Sequence, residues 1–491
     1  MMETFRQYIG GAFVDGADVF AAVNPANGEP WAIMPAADKA QTNAAVDAAK
    51  NAFGSWAAQT PGARAKLLYQ TADILAERAA SLAQLETQDT GKIIRETESQ
   101  IGYAAEYYRY FAGLADKTQG AHLPIDKDDM EVWTRREAIG VAAAIVPWNS
   151  QMFLAAVKIA PALAAGCTMV VKTSEDGAAP LLAFGRILQD AGLPPGVVNI
   201  ICGFGEECGA ALVSHPHIAR VAFTGGAAAA RHVISGTANN FAHTTTELGG
   251  KSPVIVFDDA DVQSAANAIV AGVFAASGQS CVSCSRLLVQ RGIKDELLRL
   301  LKQKAQAITI GDPLSHSTEM GPLCTKRQLQ NIQALVNAAT KDQGATLLCG
   351  GAQPNVKGGE GGYYWQPTIL DCPPKGVRAA REELFGPVLC AQGFVDEAEA
   401  IAMANDSDYG LACGVFTKDL TRAHRISRAV RAGVVWLNTY RAISPMAPFG
   451  GFGMSGYGRE GGMESILDYT RQKTIWLRTS DAPIADPFIM R

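Results

Sequence analysis

From Ala138 onward the chain alternates short apolar runs with longer stretches of helical period, and no other feature constrains its fold as strongly. The runs Val141–Val146, Thr168–Lys172, Val197–Cys202, Arg220–Phe223 and Pro253–Phe257 have the length and β-branched content of strands. They lack the polar alternation of a half-exposed sheet. Strands of that kind are buried on both faces, as in a parallel sheet covered by helices. Helical patterns near 151–165, 178–191, 206–213, 226–238 and 261–275 lie between or after them.

A second alternation follows: strand Leu287–Gln290, helices 293–309 and 325–340, strand 388–394, helix 397–404, strand 413–417, helix 419–431 and strand 433–437. The expectation is a second α/β unit. Ahead of both, the first third reads helical, with Ala-rich stretches at 38–57 and 61–90 and with Leu67, Ile74, Leu75 and Leu82 at helical spacing.

Residues 138–157 carry no charge over 20 positions, enough for a membrane span. Pro147-Trp148-Asn149-Ser150-Gln151 interrupts them, and such irregular polar backbone is not tolerated against lipid. A buried strand, a loop and a helix are expected instead, with no membrane partner. Among 491 residues, 43 Lys and Arg stand against 48 Asp and Glu, a net charge of −5 with no long basic run. A sequence-independent nucleic-acid binder is thereby disfavoured. Ten scattered cysteines form no disulfide framework, and the start of the chain has no apolar core typical of a signal peptide. Both point to a reduced, cytoplasmic protein.

Several motifs fail on context. Gly451 to Gly456 and Gly456 to Gly461 match G-x-G-x-x-G, but Ser444-Pro445-Met446-Ala447-Pro448 ahead of them is no strand. Gly249-Gly250-Lys251-Ser252 resembles the end of a phosphate loop, yet Thr245 stands where its first glycine is required. The seven histidines form no zinc pattern, and no metal is expected. Thr224-Gly225-Gly226 follows a strand and opens a helix, a geometry able to hold a phosphate, although it lacks a third glycine. Cys281-Val282-Ser283-Cys284 has no second pair for zinc, leaving open an inert buried thiol, a redox pair or a nucleophile at Cys281 on the small polar loop Ser277–Cys281.

Seven blocks occur in an order that resembles the aldehyde dehydrogenase superfamily across nearly the whole chain. They are Pro147-Trp148-Asn149, Lys172-Thr173-Ser174-Glu175, Phe223-Thr224-Gly225-Gly226, Glu247 to Pro253, Gly278-Gln279-Ser280-Cys281, Glu382 to Val388 and Pro448-Phe449-Gly450-Gly451. The resemblance implies a Rossmann-like NAD-binding domain from 1–118 with 139–249, an α/β catalytic domain from 250–453, and a small β oligomerisation arm from 119–138 with 463–491.

It also implies roles. Cys281 would attack an aldehyde carbonyl, Asn149 with the Cys281 N–H would hold the oxyanion, and Glu247 would activate water to hydrolyse the thioester or help deprotonate Cys281. Trp148, Lys172, Glu175, Gly225, Gly226, Glu383 and Phe385 would contact the cofactor. A carboxylate at 175 favours NAD over NADP, since it accepts from ribose hydroxyls and repels a 2′-phosphate. Phe153, Val157, Arg441 and Ile443 would line the substrate site. Arg441 suggests an anionic aldehyde, and a solvated loop arginine is the plain alternative.

Three departures stand out: Gly226 where Ser is frequent, Ala230 where Gly is, and Gln151 in place of a proline. Ser150 and Val157 occupy positions that are aromatic in members acting on quaternary-ammonium aldehydes, which makes betaine aldehyde a poor candidate. A CoA-acylating enzyme of the same fold is the competing activity, and Glu247 argues against it. A catalytically silent relative is the competing class. A projecting β arm implies a homo-oligomer, dimer or tetramer.

Overall fold

The computed structural model describes residues 2–489. Two large open sheets dominate it. The first has eight strands in the order Gly456–Tyr457, His243–Glu247, Ile218–Thr224, Val141–Ile145, Thr168–Thr173, Val198–Cys202, Gln7–Ile9 and Ala12–Val14. Its five central strands are parallel, and the short edge strands pair antiparallel. Helices cover both faces. Ile145, Val171 and Ile200 belong to strands that are buried almost throughout, which is why they read as unbroken apolar runs.

The second sheet runs Thr346–Cys349, Thr368–Asp371, Val388–Phe394, Arg286–Gln290, Pro253–Val256, Ala412–Phe416 and Val434–Leu437, parallel except at its first edge. A three-stranded sheet of His122–Leu123, Met130–Ala138 and Thr470–Arg478 stands apart. Its strand 470–478 pairs along one side only, and it exposes Trp476 and Leu477.

Where the sequence reading and the structure differ, the causes are local. Residues 3–36 hold five strands and no helix. Gln7–Ile9 and Ala12–Val14 form a hairpin around Gly10 and Gly11, both at positive φ, so a Gly-Gly turn signal was present. The stretch 61–90 is two helices, Pro61–Glu77 and Ala79–Thr90, broken where Arg78 leaves helical geometry. The stretch 206–213 is a wide turn at Gly205–Gly209 with one helical turn, Ala210–Val213. Helix Ile94–Leu114 and strand His243–Glu247 had no separate assignment. The strand consists mainly of threonines, whose β-branching suits a pleat but gives no apolar signal.

Strand order positions the site. In the first sheet, the chain leaves Val141–Ile145 toward one edge and returns to lay Ile218–Thr224 on its other side. Ligands of open α/β sheets bind beyond the carboxyl ends of strands at such a reversal. The segments there are Pro147-Trp148-Asn149 and Thr224-Gly225-Gly226.

Candidate active site

Strand His243–Glu247 of the first sheet ends at Glu247, and six residues later Pro253 opens a strand of the second. The carboxyl edge of one sheet therefore faces the amino edge of the other. Cys281 lies ahead of strand Arg286–Gln290, and Glu383 and Phe385 lie ahead of Val388–Phe394, all on that amino edge.

Between the edges is a cavity of about 430 Å³, a size that suits a small ligand. Its wall includes Asn149, Glu247 and Cys281, together with Phe153, Val157, Arg441 and Ile443. All three expected catalytic residues and all four expected lining residues thus meet in one place. Trp148, Lys172, Glu175, Gly225, Gly226, Glu383 and Phe385 lie outside that wall.

The loop carrying Cys281 is held from three sides. Ala276, Ser277 and Gly278 are successive residues at positive φ, a conformation costing the two non-glycines roughly 1–3 kcal/mol each. Glu96 accepts the Ala276 N–H at 3.0 and 3.1 Å, and Ser277 Oγ donates to Gly321 O at 2.8 Å. Gln279 Oε1 accepts the Cys324 N–H at 2.9 Å. Asn149 Nδ2 donates to Gln279 O at 3.1 Å, tying the two edges together and leaving its second amide proton free for another acceptor.

Gly250 N donates to Glu383 Oε1 at 3.1 Å, a Cβ at Gly249 would run into that carboxylate, and one at Gly250 would lie 2.8 Å from Cys281 O. The Gly249-Gly250 pair therefore permits close backbone approach between Glu383 and Cys281.

Exposure separates the ten thiols. Cys281 is partly open to the cavity, whereas the other nine are buried. Burial, Glu383 and Glu247 push its thiol up to about 12, against a smaller pull from Arg441. Cys284, three residues on, faces the core and donates weakly to Ile269 O at 3.5 Å. Glu247 is buried with both carboxylate oxygens unpaired. Burial first and Glu460 second raise its pKa well above the usual carboxylate range, while Lys158 and Arg459 pull it down. Burial likewise lifts Glu383 to about 7.

Sequence reasoning missed Lys158 and Glu460. Lys158 is fully buried, donates to Thr224 Oγ1 at 2.7 Å and pairs with Glu460, which lines the cavity. One signal was present: Lys158 is a lone charge directly after the uncharged stretch 138–157. Also missed were Tyr103 and Tyr107 of helix Ile94–Leu114, which line the cavity with Phe153, Trp436 and Phe449. Ser150 and Val157 do line it without rings, while Tyr103, Tyr107, Trp436 and Phe449 bring rings from elements distant in sequence.

The expected cofactor residues flank the switch-point crevice. Gly226 caps helix Ala227–Thr237, whose free N–H groups suit a pyrophosphate, and a Cβ at Gly226 would meet open space. Lys172 Nζ lies 3.5 Å from Glu175 Oε2, and the Glu175 carboxylate is partly open to solvent, as an acceptor for ribose hydroxyls must be. Trp148 and Phe385 meet edge to face at 5.4 Å. This donor set fits a dinucleotide. Among the described residues, no helix is long and apolar enough to cross a membrane, and no cluster of three or more His, Cys, Asp or Glu could hold a metal.

The chain is similar to known proteins along nearly its whole length. Residues 13–475 match the sequence model of the aldehyde dehydrogenase family. A (Z)-2-((N-methylformamido)methylene)-5-hydroxybutyrolactone dehydrogenase of Acinetobacter baylyi is 57% identical over 495 aligned positions, covering 100% of both chains. A betaine aldehyde dehydrogenase of Rhizobium leguminosarum bv. trifolii is 41% identical over 98% of each chain. Among solved structures, the betaine aldehyde dehydrogenase of Staphylococcus aureus, in complex with NAD+, superposes with a TM-score of 0.95 at 36% identity, covering 99% of this chain and 97% of that one. The chain belongs to the aldehyde dehydrogenase family, oxidoreductases that convert aldehydes to acids.

Proposed function

We propose that this protein oxidises a carboxylate-bearing aldehyde to the acid with NAD, with Cys281 as nucleophile and Glu247 as general base. The observation that carries this reading is the meeting of Cys281, Glu247 and Asn149 in one cavity. Cys281 is protonated at neutral pH, so a base must take its proton before attack. Glu247, with its raised pKa and unpaired oxygens, is suited to that task.

The thiolate adds to the carbonyl carbon, and the developing oxyanion meets the free Asn149 amide proton and the Cys281 N–H. NAD, when bound, accepts the hydride. The thioester left on Cys281 is attacked by a water that Glu247 deprotonates, and the thiolate departs as the acid forms. The buried Lys158–Glu460 pair lies beside Glu247 and gives its proton a neighbouring acceptor. A water-activating carboxylate in the cavity favours hydrolysis over transfer to CoA.

Two observations support the substrate class. Arg441 is the cation among the cavity-lining residues; one of its N–H groups donates to Ala271 O at 3.0 Å and others remain free. A 5-hydroxybutyrolactone, the ring in the name of the Acinetobacter relative, is the closed hemiacetal form of a 4-oxobutanoate, an aldehyde with a carboxylate. NADH formation with 4-oxobutanoate and with butanal tests this. A higher kcat/KM for 4-oxobutanoate is expected, and equal values would remove the carboxylate reading.

The finer assignments follow the same reading. Glu175 favours NAD over NADP, ten free cysteines suit a reducing cytoplasm, and the one-sided strand 470–478 suits a homodimer or homotetramer. Residues 1–118 with 139–249 form the NAD-binding domain, 250–453 the catalytic domain, and 119–138 with 463–491 the arm. Residues 1, 490 and 491 lie outside the described residues.

A further inference from the structure

One polar cluster in the cavity wall is not used by the chemistry at Cys281. Lys92 is buried, and its ammonium donates to Glu86 Oε1 at 2.8 Å, to Gln100 Oε1 at 2.8 Å and to Ser150 Oγ at 3.0 Å. Ser150 Oγ also lies 3.1 Å from Gln100 Oε1 and 2.6 Å from Asn149 O, its one proton shared between the two acceptors, so Lys92 is the main hold on the amide oxygen. An ammonium has donors only, so it can face Gln100 only through the amide oxygen. The direction of the amide is thereby fixed. Its two Nε2 protons find no partner among the described residues, and both Gln100 and Ser150 line the cavity.

Charge sharpens the picture. Glu86 neutralises Lys92 at 2.8 Å, so the cluster brings no net charge to the wall. The ammonium behind the amide oxygen polarises the group and strengthens the donors on its other side. The neighbouring wall is aromatic and aliphatic, from Tyr103, Tyr107, Phe153, Leu154 and Val157. The Tyr103 hydroxyl is already committed to Ile443 O at 3.1 Å. A held, uncharged donor in apolar surroundings fixes the orientation of a bound ligand.

We propose that Gln100, held by Lys92 and Ser150, is a specificity-determining residue that donates to a neutral carbonyl oxygen of the substrate, of the amide or lactone type, remote from the aldehyde carbon. This rests on the cavity being the aldehyde site, and it is independent of Arg441 and the carboxylate. A substrate lacking that oxygen leaves the polarised donor unpaired in a desolvated wall, which is how a site built for hydrogen bonding rejects an apolar analogue.

The test compares kcat/KM for two uncharged aldehydes of similar length, 4-acetamidobutanal and heptanal, in wild type, Gln100→Glu and Gln100→Met. The ratio should favour the amide in wild type and fall about fivefold to tenfold in both variants, the span of one lost hydrogen bond. Gln100→Glu keeps an oxygen facing Lys92 and Ser150 while removing the donor. With an unchanged melting temperature, its lowered ratio assigns the loss to recognition. An unchanged ratio, or equal losses on both aldehydes, overturns the proposal. Absence of a preference for 4-oxobutanoate over butanal would remove the carboxylate reading alone, because the neutral pair does not involve Arg441.

Discussion

The two large sheets approach one cavity from opposite ends. The first presents carboxyl ends: Asn149 follows strand Val141–Ile145, and Glu247 closes strand His243–Glu247. The second presents amino ends: Cys281 and Glu383 both precede the strands they lead into. The carboxyl-end rule for open α/β sheets therefore locates half of this site and is silent on the other half. The second sheet compensates with backbone in costly conformations. Ala276, Ser277 and Phe385 all have positive φ on that edge, whereas no non-glycine residue of the 145–150 or 224–226 turns does. A site assembled at amino ends has no ready strand-to-helix turn, so its loops must be bent and pinned, as Glu96 pins Ala276.

This contrast can be broken from either side, and the largest effect is expected on the second sheet. Cys281→Ala should lower NADH formation on the order of 10⁴-fold or more, whereas Cys284→Ala should keep activity, since that thiol faces the core. Comparable activity in both variants would make the cavity thiol incidental.

On the first sheet, Glu247→Gln should cost roughly 10²–10⁴-fold in steady-state rate. Rapid mixing should show no early turnover of NADH, because Glu247 acts as the base for Cys281 before hydride transfer as well as for water after it. A full early burst would confine Glu247 to the hydrolytic step. Asn149→Ala should lower kcat by about 10²–10³-fold with a smaller change in KM, as expected for an oxyanion donor.

Arg441→Ala has a smaller expected effect, a drop of about tenfold in the preference for 4-oxobutanoate over butanal. An unchanged ratio would return Arg441 to the plain role of a loop arginine bound to Ala271.

The smallest effect is a displacement of the pH profile. Glu460 raises the Glu247 pKa and Lys158 lowers it. Glu247 works as a base only when deprotonated, so activity rises as pH climbs through its raised pKa. Glu460→Gln removes a repelling carboxylate and should move the acid limb of kcat to lower pH. A shift to higher pH would contradict the electrostatics of the pair.

Much of the fold was legible before any coordinates. The strands Thr168–Thr173 and Val388–Phe394 are buried on both faces, and such strands advertise themselves as apolar runs. His243–Glu247 was not legible because its threonines carry a β preference without an apolar pattern, and strand Thr470–Arg478 because its mixed, largely exposed surface has no single buried face. At the site, Cys281, Glu247 and Asn149 were legible through motif order. Tyr103, Tyr107, Glu460 and Gln100 were not, since a residue on a helix or loop declares nothing locally about which cavity it will line.

The parallel α/β class, the family and the three residues at the centre of the proposed reaction can be read from the chain alone, since they rest on local pattern and on side-chain chemistry that no environment supplies. Tertiary structure alone decided that the carboxyl edge of one sheet meets the amino edge of the other, and that Lys158 and Glu460 sit beside Glu247. It also decided which way the Gln100 amide points. The physical reason is common to all three. Burial and electrostatic coupling depend on distances between groups as far apart in the chain as Lys158 and Glu460, and folding sets those distances.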